Sequence, residues 1–171
     1  MVTRIFLSNL DWSYPHNPTS DVELAKQLLP HGQEFIGTWT CANIQTIKAG
    51  DRAYFKRVGR EPRGFFARGF VIPAEEKLKR INPEYSYLNE AYDSEMIDGQ
   101  FMVAFEWTEI VDYDKPLDTS WLKKQPDFSG AFFDPRGSGS TFNAEYADLL
   151  DHYWEAHLLQ LMRQGCAARK R

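Results

Sequence analysis

Two runs, DRAYFKRV (51–58) and GFFARGFVI (64–72), constrain the fold of this chain more than any other feature. Both are rich in the aromatic and β-branched residues that suit a pleated surface. The five residues between them, GREPR (59–63), bring the glycine and proline that mark a turn. They are expected to pair as a hairpin. Alternation puts Arg52, Tyr54, Lys56 and Val58 on one face of the first strand, and Ala53, Phe55 and Arg57 on the other.

The hairpin is also basic in a chain that is not. From Lys48 to Arg68 there are seven cations (Lys48, Arg52, Lys56, Arg57, Arg60, Arg63, Arg68) against Asp51 and Glu61, whereas the whole chain carries a net charge of -4. From Glu84 to Asp118 ten acidic residues face Lys115 alone. Such polarisation suits a soluble protein with one positive binding face. It equally suits two stretches that neutralise each other across a sheet, and charge alone leaves both readings open.

Other segments fill in an α+β pattern. RIFLSNL (4–10) reads as a first strand, and DWSYPHNP as loop. TSDVELAKQLLP reads as a helix with a Ser20/Glu23 capping box, closed by Pro30. HGQEFIGTWTCANIQTI contains a short strand, and QFMVAFEWTEIVDY a long one with Phe101, Val103, Phe105 and Trp107 on one face. Residues 73–99 read as an insertion or long loop. Tyr146, Leu149, Leu150, Tyr153, Trp154, His157 and Leu161 mark one face of a closing helix, capped by Thr141 or Asn143. One domain over 1–162 is expected, with 163–171 as a basic tail or linker carrying Arg163, Arg169, Lys170 and Arg171. Strands that do not alternate with helices favour a small, mostly antiparallel sheet or open β-barrel with flanking helices.

Catalytic and metal motifs are scarce. His152 and His157 are out of helical phase, and no HExxH, GxSxG, P-loop or Rossmann fingerprint occurs. Asp51 with Glu75-Glu76-Lys77 only distantly matches a nuclease carboxylate pair. Cys41 and Cys166 form no CxxC or Cys/His cluster, and no run of about 18 apolar residues occurs. The expectation is a non-enzymatic protein of the reducing cytoplasm, without cofactor, metal or membrane partner.

A binding constellation remains. "WTCAN" places Trp39, Thr40, Cys41 and Asn43 just before the basic hairpin, with Trp12 in the early loop, Trp107 on the long strand and "RGSGS" (136–140) before the last helix. Core packing accounts for any one tryptophan. Together they offer what an extruded base needs: an aromatic face worth about 1–3 kcal/mol, polar groups for its edge, and cations for the flanking phosphates.

The series WTCANIQTIKAGDRAYFKRVGREPRGFFARGFVI (39–72) resembles the core of EVE-type domains of the PUA superfamily, as found at the front of modification-dependent HNH restriction endonucleases. The matching positions are Trp39, Thr40, Cys41, Asn43, Ile47, Gly50, Asp51, Arg52, Arg57, Gly59, Glu61, Pro62, Arg63, Gly64, Gly69 and Val71, with a GSG loop at Gly137–Gly139 and a helix bearing Trp154. The opening departs from the family pattern, having NLDWSYPHNP where W-N-P is usual. The resemblance implies a PUA-like barrel that flips a modified base of double-stranded DNA, 5-methyl- or 5-hydroxymethylcytosine, into a pocket of Trp12, Trp39, Thr40, Cys41, Asn43, Trp107, Ser138, Gly139 and Ser140. Arg52, Lys56, Arg57, Arg60, Arg63 and Arg68 would hold the phosphates, and an HNH nuclease would be fused or partnered. An RNA-binding PUA-like module, a reader of N6-methyladenine, and a small enzyme or protein-interaction domain using the acidic stretch are the alternatives.

Overall fold

In a computed structural model the structure describes residues 1–11, 18–41, 44, 46–73 and 102–171. The frame is one eight-stranded sheet in the order β2-β5-β4-β3-β1-β7, with β6 added to β4 and β8 to β5. The strands are β1 (Thr3–Ser8), β2 (Phe35–Thr40), β3 (Arg52–Arg57), β4 (Gly64–Ile72), β5 (Met102–Val111), β6 (Leu117–Asp118), β7 (Ser140–Thr141) and β8 (Ala167–Arg169). Among the described residues only β1 and β3 run parallel, and the other pairings are antiparallel. Three helices are described, α1 (Pro18–Leu28), α2 (Thr119–Lys123) and α3 (Ala147–Arg163).

The hairpin forms as its alternation predicts, with Arg52 opposite Phe70 and Arg57 opposite Gly64, and an irregularity between Phe55 and Lys56. A second irregularity falls between Arg68 and Gly69, where β4 meets β5. A Cβ on Gly69 would lie 1.9 Å from the Glu106 carbonyl oxygen, so this close backbone approach admits only glycine.

Both faces of the hairpin are buried, which decides how its aromatics are used. On one side Phe55 lies in a ring cluster with Phe6, Phe66, Phe105, Trp39 and Trp107. On the other, Tyr54 meets Phe65 and Trp154 of α3, and Phe133 joins Phe65, Phe128 and Phe142. Each such side chain contributes about 1.5–3 kcal/mol by leaving water. Among the described residues the hairpin presents no exposed strip of basic and aromatic side chains, because α3 and the 126–134 segment cover the outer face.

The sheet curls strongly. The Trp39 indole N–H donates to the Leu7 carbonyl at 2.9 Å, joining β2 to β1 across the β5, β4 and β3 strands that separate them in the sheet. Among the described residues β2 and β7, at the two ends, do not pair with each other.

Two boundaries differ from the sequence reading. Helix α1 starts at Pro18, which suits a first turn, so Ser20 sits inside the helix and caps nothing. The 163–171 segment is no frayed tail. Its residues 167–169 form β8 against Glu109, Ile110 and Val111, and the Arg171 amide donates to the Leu29 carbonyl. Tyr146 precedes α3 without a side-chain cap, and Asn143 instead accepts from the Phe132 amide.

Candidate functional site

The most constructed feature of the surface is a seam along β1, where Cys41, Ile44, Thr46 and Ile47 meet the 137–140 loop. Main-chain and side-chain groups of the loop register on β1: the Gly139 amide donates to the Ile5 carbonyl at 2.7 Å, and the Leu7 amide to Ser138 Oγ at 3.0 Å. Gly139 has a φ of +90°, and a Cβ there would lie 2.8 Å from Ile47 Cδ1 and 3.1 Å from Cys41 Cβ. The small residue lets the loop close onto the end of β2.

Arg4 welds the seam from beneath. Its guanidinium is buried and reaches Asp51 Oδ2 at 3.2 Å, Thr141 Oγ1 at 3.1 Å, the Thr46 carbonyl at 3.0 Å and the Gly139 carbonyl at 3.4 Å. Asp51 in turn accepts from the Lys48 amide at 3.0 Å. One guanidinium, with donors fixed in a planar fork, thus ties three separate stretches of chain. The sequence reading passed over Arg4. Its signal was a lone cation at the start of the apolar run Ile5-Phe6-Leu7. Lys48 and Arg136, both exposed, flank the seam and form no ion pair among the described residues.

Of the expected base pocket, the structure gathers Cys41, Ser138, Gly139 and Ser140 at this seam, with Thr40 half-buried at the end of β2. Trp12 and Asn43 lie outside the described residues. Trp39 and Trp107 are corrections. Trp107 is 0% exposed and stacks at 4.6 Å on Phe35, while Trp39 is 7% exposed, its ring edge-on to Phe55 and Phe105. Both indoles are enclosed by other rings, so they form the floor of the curl rather than walls open to a ligand. Cys41 Sγ donates to the Ile44 carbonyl at 3.7 Å, and burial pushes its thiol up to about 11. It is an inert packing thiol, not a nucleophile.

The expected phosphate wall is corrected too. Lys56 is 3% exposed and donates to the Phe133 carbonyl and Asp134, both at 2.8 Å. Burial lowers its pKa, and Asp134 only partly restores it. Arg57 donates to the Tyr113 carbonyl at 3.0 Å and lies over the Tyr113 ring at 4.6 Å. Arg68 forms a fork with Glu109 at 3.1 and 2.5 Å and also reaches Asp151 at 3.2 Å. Arg52 meets Asp151 at 3.4 Å. Glu109 of β5, Asp151 of α3 and Asp134 therefore neutralise Arg68, Arg52 and Lys56, while main-chain carbonyls satisfy Arg57, because a buried cation needs a partner. Arg60, paired with Asp11, and Arg63, paired with Glu61 at 3.4 Å, stay exposed at the turn. Surface pairs like these are weak and exchangeable.

Two cavities of about 400 Å³ lie away from the seam. One is bounded by Leu10, Val22, Arg57 and Tyr113 beside α1; the other runs along α3 between Trp121 and Gln160. Among the described residues no cluster of His, Cys, Asp or Glu is suited to a metal ion, and no helix is long and apolar enough to cross a membrane.

No family model and no curated protein matches this chain. Solved structures do resemble it. A hypothetical protein from Leishmania major aligns over 91% of this chain and 96% of its own, with a TM-score of 0.52 at 19% identity. Protein PSPTO5229 from Pseudomonas syringae aligns over 88% of this chain and 99% of its own, with a TM-score of 0.49 at 14% identity. The Leishmania protein shares the overall fold, and at that identity the likeness extends to fold alone.

Proposed function

We propose that the chain is a non-catalytic reader of modified duplex DNA on a PUA-like, EVE-type open barrel, and that it presents the modified base to the seam. The observation that carries this reading is the seam itself. The motif on which the family resemblance rests and the GSG loop, about a hundred residues later, are closed on one another by Arg4 and Gly139. The half-buried Thr40, Gly137 and Ser140 at the seam's rim would offer hydroxyl and main-chain groups to a base edge. Lys48 and Arg136, without an ion pair among the described residues, stand beside it for the flanking phosphates. Arg60 and Arg63 lie at the far end of β3, whose six residues span about 20 Å, or roughly six steps of duplex.

Flipping a base costs a few kcal/mol, and an aromatic face must offset it. With Trp39 and Trp107 packed in the floor, this reading gives that role to Trp12. A methyl or hydroxymethyl group filling an apolar notch adds only about 0.8 kcal/mol per carbon. Discrimination beyond that requires a hydrogen bond or a steric block at the seam.

Fluorescence anisotropy decides the matter with one duplex sequence carrying plain cytosine, 5-methylcytosine, 5-hydroxymethylcytosine or N6-methyladenine, and with single-stranded RNA as a further arm. Tighter binding to a modified cytosine duplex, lost in Trp12→Ala, is the expected result. Equal binding to modified and plain duplexes overturns the reading, and preference for RNA replaces it with the RNA-binding module.

A further inference from the structure

The second cavity, on the α2–α3 side and remote from the seam, has its own chemistry. It is about 400 Å³ in volume, within the range of small-ligand sites, and its lining includes Trp121, Asp127, His152, Tyr153, His157 and Gln160. Three of its rings stand steeply to one another. Trp121 meets Tyr153 at 5.6 Å and 65°, and His152 meets Tyr153 at 6.1 Å and 90°. The corner is held from behind. Asp118 caps α2 by accepting from the Ser120 and Trp121 amides at 2.7 and 3.1 Å, and Tyr153 packs on the buried Phe128 ring at 5.2 Å.

Its charge is one-sided. Asp127 is the carboxylate in the lining, it forms no ion pair among the described residues, and no lysine or arginine contributes to the lining. His157 donates from Nε2 to the Lys115 carbonyl at 2.9 Å. Burial pushes its pKa below the ordinary value, so this imidazole stays neutral at pH 7. Trp121, 48% exposed, keeps one edge of the corner open to solvent. Steeply set aromatic faces beside a single carboxylate favour an organic cation, which the ring quadrupoles and the acid attract together.

We infer that the Trp121–Tyr153–His152 corner with Asp127 is a binding site for a substituted ammonium group, either a free quaternary amine or a methylated lysine side chain.

The test uses the full chain, titrated at constant ionic strength with choline chloride, with an N-acetyl trimethyllysine amide, and with the uncharged isostere 3,3-dimethylbutan-1-ol. Binding is read from the ring-proton resonances of His152 and Tyr153, which remain in every variant tested. Both cations are expected to bind about tenfold or more tightly than the isostere, since cation–π attraction supplements the shared shape. Trp121→Ala should abolish the effect, and Asp127→Asn should weaken both cations by about tenfold without altering the isostere. Trp121 and Asp127 are exposed, so both variants are expected to keep the parent far-UV spectrum and melting curve. Tighter binding of the trimethyllysine compound identifies a side-chain ligand, and tighter binding of choline a free amine. Equal affinity for cation and isostere, or cation binding unchanged in Asp127→Asn, overturns the site. Neither result bears on DNA recognition at the seam.

Discussion

Arg4 and Asp51 meet at 3.2 Å in the interior, forty-seven residues apart in sequence, with their side chains 5% and 8% exposed. The pair closes the seam because Arg4 also holds the Thr46 and Gly139 carbonyls. Arg4→Met would keep most of the volume but strand the Asp51 carboxylate, leaving it with the Lys48 amide. Losing one member of a buried pair costs about 3–5 kcal/mol. Urea denaturation checks this, and a loss below about 1 kcal/mol would show that the pair does not hold the segments together.

Glu109 gives the fold an acid-sensitive joint. Burial raises its pKa, but the Arg68 fork, the Thr108 hydroxyl and Arg169 outweigh that and hold the carboxyl below the ordinary range. The folded state then binds fewer protons here than the unfolded chain, so stability is full above about pH 4.3 and declines as pH falls through the folded value. Denaturation midpoints measured between about pH 7 and 3 should fall toward the acid end. The fall should be shallower in Glu109→Gln, which has no proton to take up; an unchanged slope would place the acid sensitivity elsewhere.

The same ion pairs show what the sequence could and could not reveal. The hairpin, the inward face Val103, Phe105 and Trp107, and the α3 face with Leu150, Trp154 and Leu161 were legible because period and burial coincide there. Neutralisation of the 48–68 cations across the sheet was one of two readings that the charge pattern left open, and Arg68 with Glu109 realises it. The part played by Asp151 was not legible, since it lies 83 residues away on α3 and only the packing of that helix brings it to Arg68. β8 escaped notice because three residues of mixed polarity carry no period. At the candidate site, small residues flagged the GSG loop, whereas the two indoles drew attention as ligand walls because a sequence does not distinguish a ring that lines a pocket from one that floors it.

Gly69 tests the β4–β5 crossing. An added Cβ would meet the Glu106 carbonyl oxygen at 1.9 Å and the Trp107 Cα at 2.9 Å, and neither backbone atom can swing aside. Gly69→Ala must therefore spread two central strands, with a loss of more than about 2 kcal/mol or failure to fold. Solubility and thermal melting read the outcome. Gly50 is the control: nothing lies within 4 Å of its Cβ position, so Gly50→Asn, a residue that tolerates its φ of +94°, should change stability by less than about 1 kcal/mol.

Trp39 separates the architecture from the proposed reading. Its N–H bond to Leu7 and its edge-on contacts with Phe55 and Phe105 describe a brace between β2 and β1. Trp39→Phe retains an apolar ring but leaves the Leu7 carbonyl without its donor, which costs about 1–3 kcal/mol. If Trp39 is only a brace, the variant should melt at a lower temperature yet, well below that temperature, keep the parent preference among the modified duplexes. A variant that melts like the parent but no longer distinguishes modified from plain cytosine would mean that the indole reads the base directly, and that the floor of the curl opens when DNA binds.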